Sequence, residues 1–201
     1  MKYMKKELNY FRIDGGYGGN QEWFSNLLMY MGGCAAATAC DSCIYLAREM
    51  GMTELYPYDA ANLTRDDYIA FAMKMKPFLR PRMSGINRLD IFIDGFGQYL
   101  HKTGNISLQM EEFQGHRRFE EAVQCVKRQI DAGYPIPYLM LRHTKPVYKD
   151  FVWHWFLAVG YEETADDLQV TFATYGEAST FSLKDLWNTG YEEKGGMIYY
   201  V

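Results

Sequence analysis

The sequence predicts an α+β chain: mostly helical up to about residue 132, then a mostly antiparallel sheet from about 133 to 201. Two contrasts carry that reading. Apolar residues recur at intervals of three and four in the first part, whereas runs of aromatic and β-branched residues crowd the second. No linker, repeat or low-complexity stretch divides the 201 residues, so the chain, 1–201, is expected to form one domain.

Each element has a local reason. Near the start, NYFRI suits a short strand, and DGGYGGN suits a turn whose glycines take backbone angles other residues avoid, so no helix is expected before Asn20. In MGGCAAATACDSCIYLAREM a glycine pair delivers Cys34 onto the start of a helix. In LTRDDYIAFAMKM, Thr64 serves as a cap with Asp67 three residues on; Tyr68, Ile69, Ala72 and Met73 share a face, and Pro77 and Pro81 close the helix. RLDIFIDGFGQYLHKTG puts Leu89, Phe92, Ile93, Phe96, Tyr99 and Leu100 on one stripe, weakened by Gly95 and Gly97. EEFQGHRRFEE reads as the solvated entry to the next helix, in which Phe119, Ala122, Val123, Val126 and Ile130 repeat regularly until Gly133 stops it. The strands are expected in PIPYLMLRH, HWFLAVGYEE, LQVTFATY and GGMIYYV.

Composition narrows the function. A chain that is 48% hydrophobic and 16% aromatic can bury a substantial core. Its net charge of -4 offers no broad basic field for nucleic acid or an anionic membrane, which leaves a neutral small molecule or peptide as the expected partner. The basic opening MKYMKKELNYFRID is followed by no apolar run of signal-peptide length, and nothing approaches membrane-spanning length, so the cytoplasm is the expected location. Cys34, Cys40, Cys43 and Cys125 are too few and too unevenly spread for a disulfide framework, in keeping with a reducing compartment.

The first three of those thiols invite a metal reading. On one helix at about 100° per residue, however, Cys34 and Cys43 point to opposite sides, and no second CxxC or paired histidine completes a tetrahedron. Neither a metal nor another cofactor is expected. Cys34 itself reads two ways, as a small core residue or as a nucleophile whose thiolate is favoured by the helix N-terminus. A nucleophile needs a base. Of the four histidines, His101 and His116 lie outside the expected sheet and read, with His143, as surface or loop residues. His154 opens a strand between Trp153 and Trp155, where two indoles would hold the ring and exclude water; a structural histidine fits the same place.

The order of GGC opening a helix, then IDAGYPIPYLMLR, then HWFLAVGYE, resembles the papain-like cysteine peptidase superfamily, particularly its bacterial bacteriocin-leader-processing branch, over Gln21 to Thr174. The resemblance implies a papain-like fold, in which the helical half carries the cysteine at a helix N-terminus against the C-terminal sheet. It implies Cys34 as the nucleophile that forms an acyl-enzyme, His154 as general base and later acid, and Gln21 as oxyanion donor. Gly32 and Gly33 would let the backbone approach the substrate carbonyl, with Trp153 and Trp155 also at the substrate. Two departures stand out. Gln21 lies farther upstream than the family's glutamine, making EWFSNLLMYM an inserted loop, and Thr174 falls where the family has Asn or Asp, leaving Glu177 or Asn188 as other candidates to reach the ring. The activity the resemblance implies is therefore that of a cysteine peptidase or amidase acting on a peptide or small amide substrate. The missing Asn or Asp also admits an inactive papain-like domain that binds a peptide or protein, and the same nucleophile would serve a thiol acyltransferase or transglutaminase-like enzyme.

Overall fold

A computed structural model describes residues 3–82 and 85–201. In chain order its elements are β1 (Lys5–Glu7), β2 (Arg12–Ile13), β3 (Gly16–Tyr17), α1 (Leu27–Gly32), α2 (Cys34–Glu49), α3 (Arg65–Met75), α4 (Leu89–Thr103) and β4 (Met110–Gln114). They continue with α5 (Phe119–Asp131), β5 (Ile136–Met140), β6 (His154–Glu163), β7 (Leu168–Thr174), β8 (Glu177–Ser182), α6 (Leu183–Trp187) and β9 (Gly196–Tyr200). The α+β division holds: most helices precede an antiparallel sheet built chiefly from the C-terminal half.

That sheet runs β4-β9-β5-β6-β7-β8, with β1 added to β6. The long β6 is its axis. It pairs with β5 through His154 to Ala158 and with β1 through Gly160 to Glu162, so β5 and β1 lie end to end along one edge while β7 occupies the other. Against β6 lies α2, whose Ala35, Ala36, Ala39, Cys40 and Cys43 are almost wholly buried. Their small side chains bring the helix axis close to the sheet, which is what Cys40 and Cys43 contribute. On α5 the regular stripe is realised, burying Ala122, Cys125, Val126 and Ile130.

Several elements depart from the sequence reading. The segment EWFSNLLMYM, expected to be a loop, contains α1, capped by the Asn26 side chain, which accepts a hydrogen bond from the Met29 N–H at 3.2 Å. Only Met29 of α1 is buried, and a helix held by its cap and by the chain that follows it leaves no periodic signal. The solvated entry EEFQGHRRFEE begins as β4, which pairs along its length with β9 and buries only Phe113. Ladder hydrogen bonds hold that strand more than any apolar face. NYFRI contributes just Arg12 and Ile13 to a small hairpin with β3. α4 runs unbroken through Gly95 and Gly97 because Phe92, Phe96 and Tyr99 bury on one side. Among the described residues, no helix is long and apolar enough to cross a membrane.

Candidate active site

Cys34 is the first residue of α2, and its place is fixed by the chain just before it. Gly33 caps the helix while donating its N–H to Met29 O at 2.8 Å; a Cβ on Gly33 would lie 2.4 Å from that same oxygen. Glycine is therefore required to pass from α1 into α2, a different use from the close substrate approach expected of it. Gly32, by contrast, does line the cleft beside the sulfur.

His154 opens β6 and is 6% exposed. Its Nε2 lies 2.7 Å from Thr174 Oγ1 at the end of β7. The Tyr175 ring stacks on the imidazole with centroids 4.7 Å apart and planes 7° from parallel, and its hydroxyl lies 3.4 Å from Nδ1. Nothing in the sequence singled out Tyr175. It occupies, with Gly176, the two-residue turn between β7 and β8, at φ +52°. Such turns need positive φ at both central residues, a state that a bulky side chain enters only at a cost of about 1–3 kcal/mol. Trp153, immediately before the histidine, is also left-handed, at φ +54°. Two of the three described non-glycine residues with positive φ thus flank one imidazole.

The two tryptophans separate. Strand alternation turns Trp155 away from His154, into the core, where its indole stacks on Phe92 at 4.3 Å and donates to Ile86 O at 2.6 Å. Its backbone, not its indole, meets the site: the Trp155 N–H points at the Cys34 sulfur. Trp153 is 38% exposed at the cleft mouth, with the Arg142 guanidinium 5.5 Å from its ring. Tyr175 and Phe156 hold the imidazole in place of the expected indole pair. Glu177 and Asn188 are exposed, and the ring's Nε2 meets Thr174.

Cys34, His154, Gln21 and Tyr175 together line two spaces, a cleft of about 470 Å³ that also includes Met31, Arg82 and Trp153, and a small inner cavity of about 20 Å³ reaching Thr38 and Asp41. Gln21 is drawn in despite its distance along the chain, because a short 3-10 turn at Gln21–Trp23 and α1 fold the intervening residues outward. Its Nε2 donates to Tyr30 O at 2.7 Å, and its buried Oε1 has no partner. A carboxamide nitrogen carries two hydrogens, so one N–H remains for a ligand.

Burial sets the charge state. It pushes the Cys34 thiol above its ordinary value of 9.0, while the N–H groups of Trp155, Ala35 and Cys34 pull the other way. It also pushes His154 down to about 3. Burial thus favours the neutral forms of both groups and opposes the helix N-terminus, which by itself favours the thiolate.

Other clefts of about 500 and 700 Å³ open beside α5, but neither is lined by a histidine, and the larger holds Cys125 among arginines and glutamates. His143 bonds to Asp185 O and accepts from the Lys145 N–H, while His101 and His116 are exposed. Among the described residues no group of three or more histidine, cysteine or acidic side chains is placed to hold a metal ion. Comparisons of the chain with models of protein families, with curated proteins and with solved structures give no match.

Proposed function

We propose that this chain is a cysteine hydrolase of the papain-like type, a peptidase or amidase working through an acyl-enzyme on Cys34. The observation that carries the reading is one imidazole anchored through Nε2 to Thr174 Oγ1 at 2.7 Å and sharing a cleft with a cysteine at a helix N-terminus. With the Nε2–H given to Thr174, Nδ1 keeps its lone pair as a base.

Because both groups start neutral, His154 acts during the attack and not before it. The sulfur adds to the substrate carbonyl carbon as the thiol proton passes to His154, and the oxyanion is met by the Cys34 N–H and the second Nε2–H of Gln21. The tetrahedral centre collapses, the C–N bond breaks, and His154 returns the proton to the leaving amine. Water, deprotonated by the same imidazole, then adds to the thioester; collapse releases the acid and reprotonates the sulfur. Only the nucleophile that accepts the acyl group would distinguish an acyltransferase.

A second reading has its own support. Thr174 is a hydroxyl, able both to donate and to accept, so it orients the ring without fixing its tautomer as an amide oxygen or carboxylate does. Together with the burial of the pair, this favours a silent peptide-binding domain of the same fold. Incubation with a library of peptides, comparing the unmodified chain with Cys34→Ala and His154→Ala, decides between them. New N-termini formed only with the unmodified chain support the hydrolase; retention of peptides without cleavage supports the binding domain.

A further inference from the structure

The glycine-rich turn near the N-terminus is clasped from below by a buried carboxyl group that the mechanism above does not use. Asp41 lies on α2, two helical turns beyond Cys34, and is 5% exposed. It accepts from the Tyr10 hydroxyl at 2.6 Å and from the Gly19 N–H at 3.2 and 3.3 Å, while the nearby Tyr68 hydroxyl donates to Ala37 O at 3.3 Å. The chain passes so close that a Cβ on Gly18, at φ +77°, would sit 2.6 Å from Asp41 Oδ2, and one on Gly19 would sit 1.9 Å from the Tyr68 ring. Gly19 O in turn accepts from the Gly176 N–H at 3.0 Å, in the turn that carries Tyr175. Two residues beyond Gly19 is Gln21, and the inner cavity is lined by Asp41, Gly19, Gln21, Cys34 and His154 together.

We propose that Asp41 is a positioning residue which, as a carboxylate, clamps the Gly18–Gln21 segment and so holds the Gln21 carboxamide as oxyanion donor beside Cys34. The inference rests on the cysteine-hydrolase reading and adds a residue to it. Burial pushes Asp41 up to about 6, against the pull of Tyr10, Tyr68 and the Gly19 N–H. The groups facing it are Tyr10 from the N-terminal segment, Tyr68 from α3, Cys40 on its own helix and, around the inner cavity, Cys34, His154 and Tyr175. Burial pushes His154 the other way, down to about 3, so an acid limb of the rate near pH 6 is the result expected of Asp41.

Two probes separate oxyanion stabilisation from thiol reactivity. Acylation of Cys34 by p-nitrophenyl acetate passes through an oxyanion; alkylation by iodoacetamide does not. At about pH 7.5, Asp41→Asn is expected to slow acylation at least tenfold, in the direction of Gln21→Ala, while alkylation of Cys34 changes by less than about twofold. The acylation limb near pH 6 should disappear in Asp41→Asn. If acylation and alkylation fall together, or neither changes, the proposal is overturned. Should the unmodified chain show no acylation at Cys34, the hydrolase reading fails, and ¹⁵N NMR decides the clamp by itself. A shift of the Gln21 side-chain NH₂ resonance in Asp41→Asn, and its titration with pH in the unmodified chain, support the clamp; an unmoved resonance overturns it. Tyr10→Phe removes one hydrogen bond to Asp41 and gives a partial form of the same results if Asp41→Asn does not fold.

Discussion

Lowering the pH from about 7 to 4.5 sets two buried groups of this site against each other, and the sizes of both effects follow from their shifts. His154 has a folded value of about 3 against an ordinary value of 6.5, so the unfolded chain takes up the proton first. Its contribution to stability is intact above 6.5 and is lost as pH falls toward 3, a loss of roughly 2.5 kcal/mol over this interval. Asp41 has the opposite sign: its folded value is about 6 against 3.8, so the folded chain takes up the proton first. Its contribution is complete below 3.8 and is lost as pH rises through 6, so over the same interval it adds roughly 2 kcal/mol. In the unmodified chain the two nearly cancel. Removing either exposes the other: relative to the unmodified chain, Asp41→Asn should lose a further ~2 kcal/mol on acidification and His154→Gln should retain ~2.5 kcal/mol more. Urea unfolding of the three chains at both pH values measures this, because comparing each variant with itself removes the direct cost of substitution and the titration of all other carboxylates. An equal pH dependence in all three chains refutes the burial-driven shifts and the charge states assigned to the site.

Three further outcomes are expected. Iodoacetamide should label Cys34, 7% exposed, ahead of Cys40 and Cys43 at 0% and Cys125 at 4%, with a rate that keeps rising into alkaline pH; mass spectrometry of digests reads this, and equal labelling contradicts it. Thr174→Val removes one neutral hydrogen bond to the imidazole, worth about 1 kcal/mol, and should lower the acylation rate by about fivefold to tenfold with little change in KM. An unchanged rate in a stopped-flow assay contradicts the anchoring role. Gly19→Ala should destabilise the chain by about 1–3 kcal/mol through the clash with Tyr68, whereas Gly15→Ala, where φ is +83° and nothing lies within 4 Å, should cost only about 1 kcal/mol; denaturant midpoints compare them.

What could be read from the sequence was what burial writes as a period. The stripe of α5 gave both element type and facing, because it buries one continuous surface, whereas the apolar run of β6, buried at every position from His154 to Tyr161, gave element type alone. α1 and β4 were opaque for the converse reason: one is held by an Asn26 cap and the other by its ladder with β9, and neither needs an apolar face. The site divides along the same line. Cys34, His154 and Gln21 were legible as residue types in an order, and the structure brings them to one cleft. Tyr175 and Asp41 carry no such signal. A Tyr-Gly pair is a weak mark of a two-residue turn, which favours Asn or Asp before the glycine, and an aspartate inside ACDSCIY becomes meaningful only once Gly18 and Gly19 are folded over it. Composition was equally silent on charge state, since the burial that opposes the thiolate at a helix start is visible only in the fold.

The central claim is that Cys34 forms an acyl-enzyme with His154 as base, and the most direct measurement is the mass of the intact chain during reaction with p-nitrophenyl acetate, followed by peptide mapping. The account predicts one acetyl group, carried as a thioester on Cys34, appearing with the release of p-nitrophenolate and then lost to water; Cys34→Ala should not form it, and His154→Ala should form it at least a hundredfold more slowly, on the order of a general-base contribution. An unmodified chain that stays unacetylated, or one whose acetyl group maps to another residue and forms equally well in Cys34→Ala, contradicts the claim.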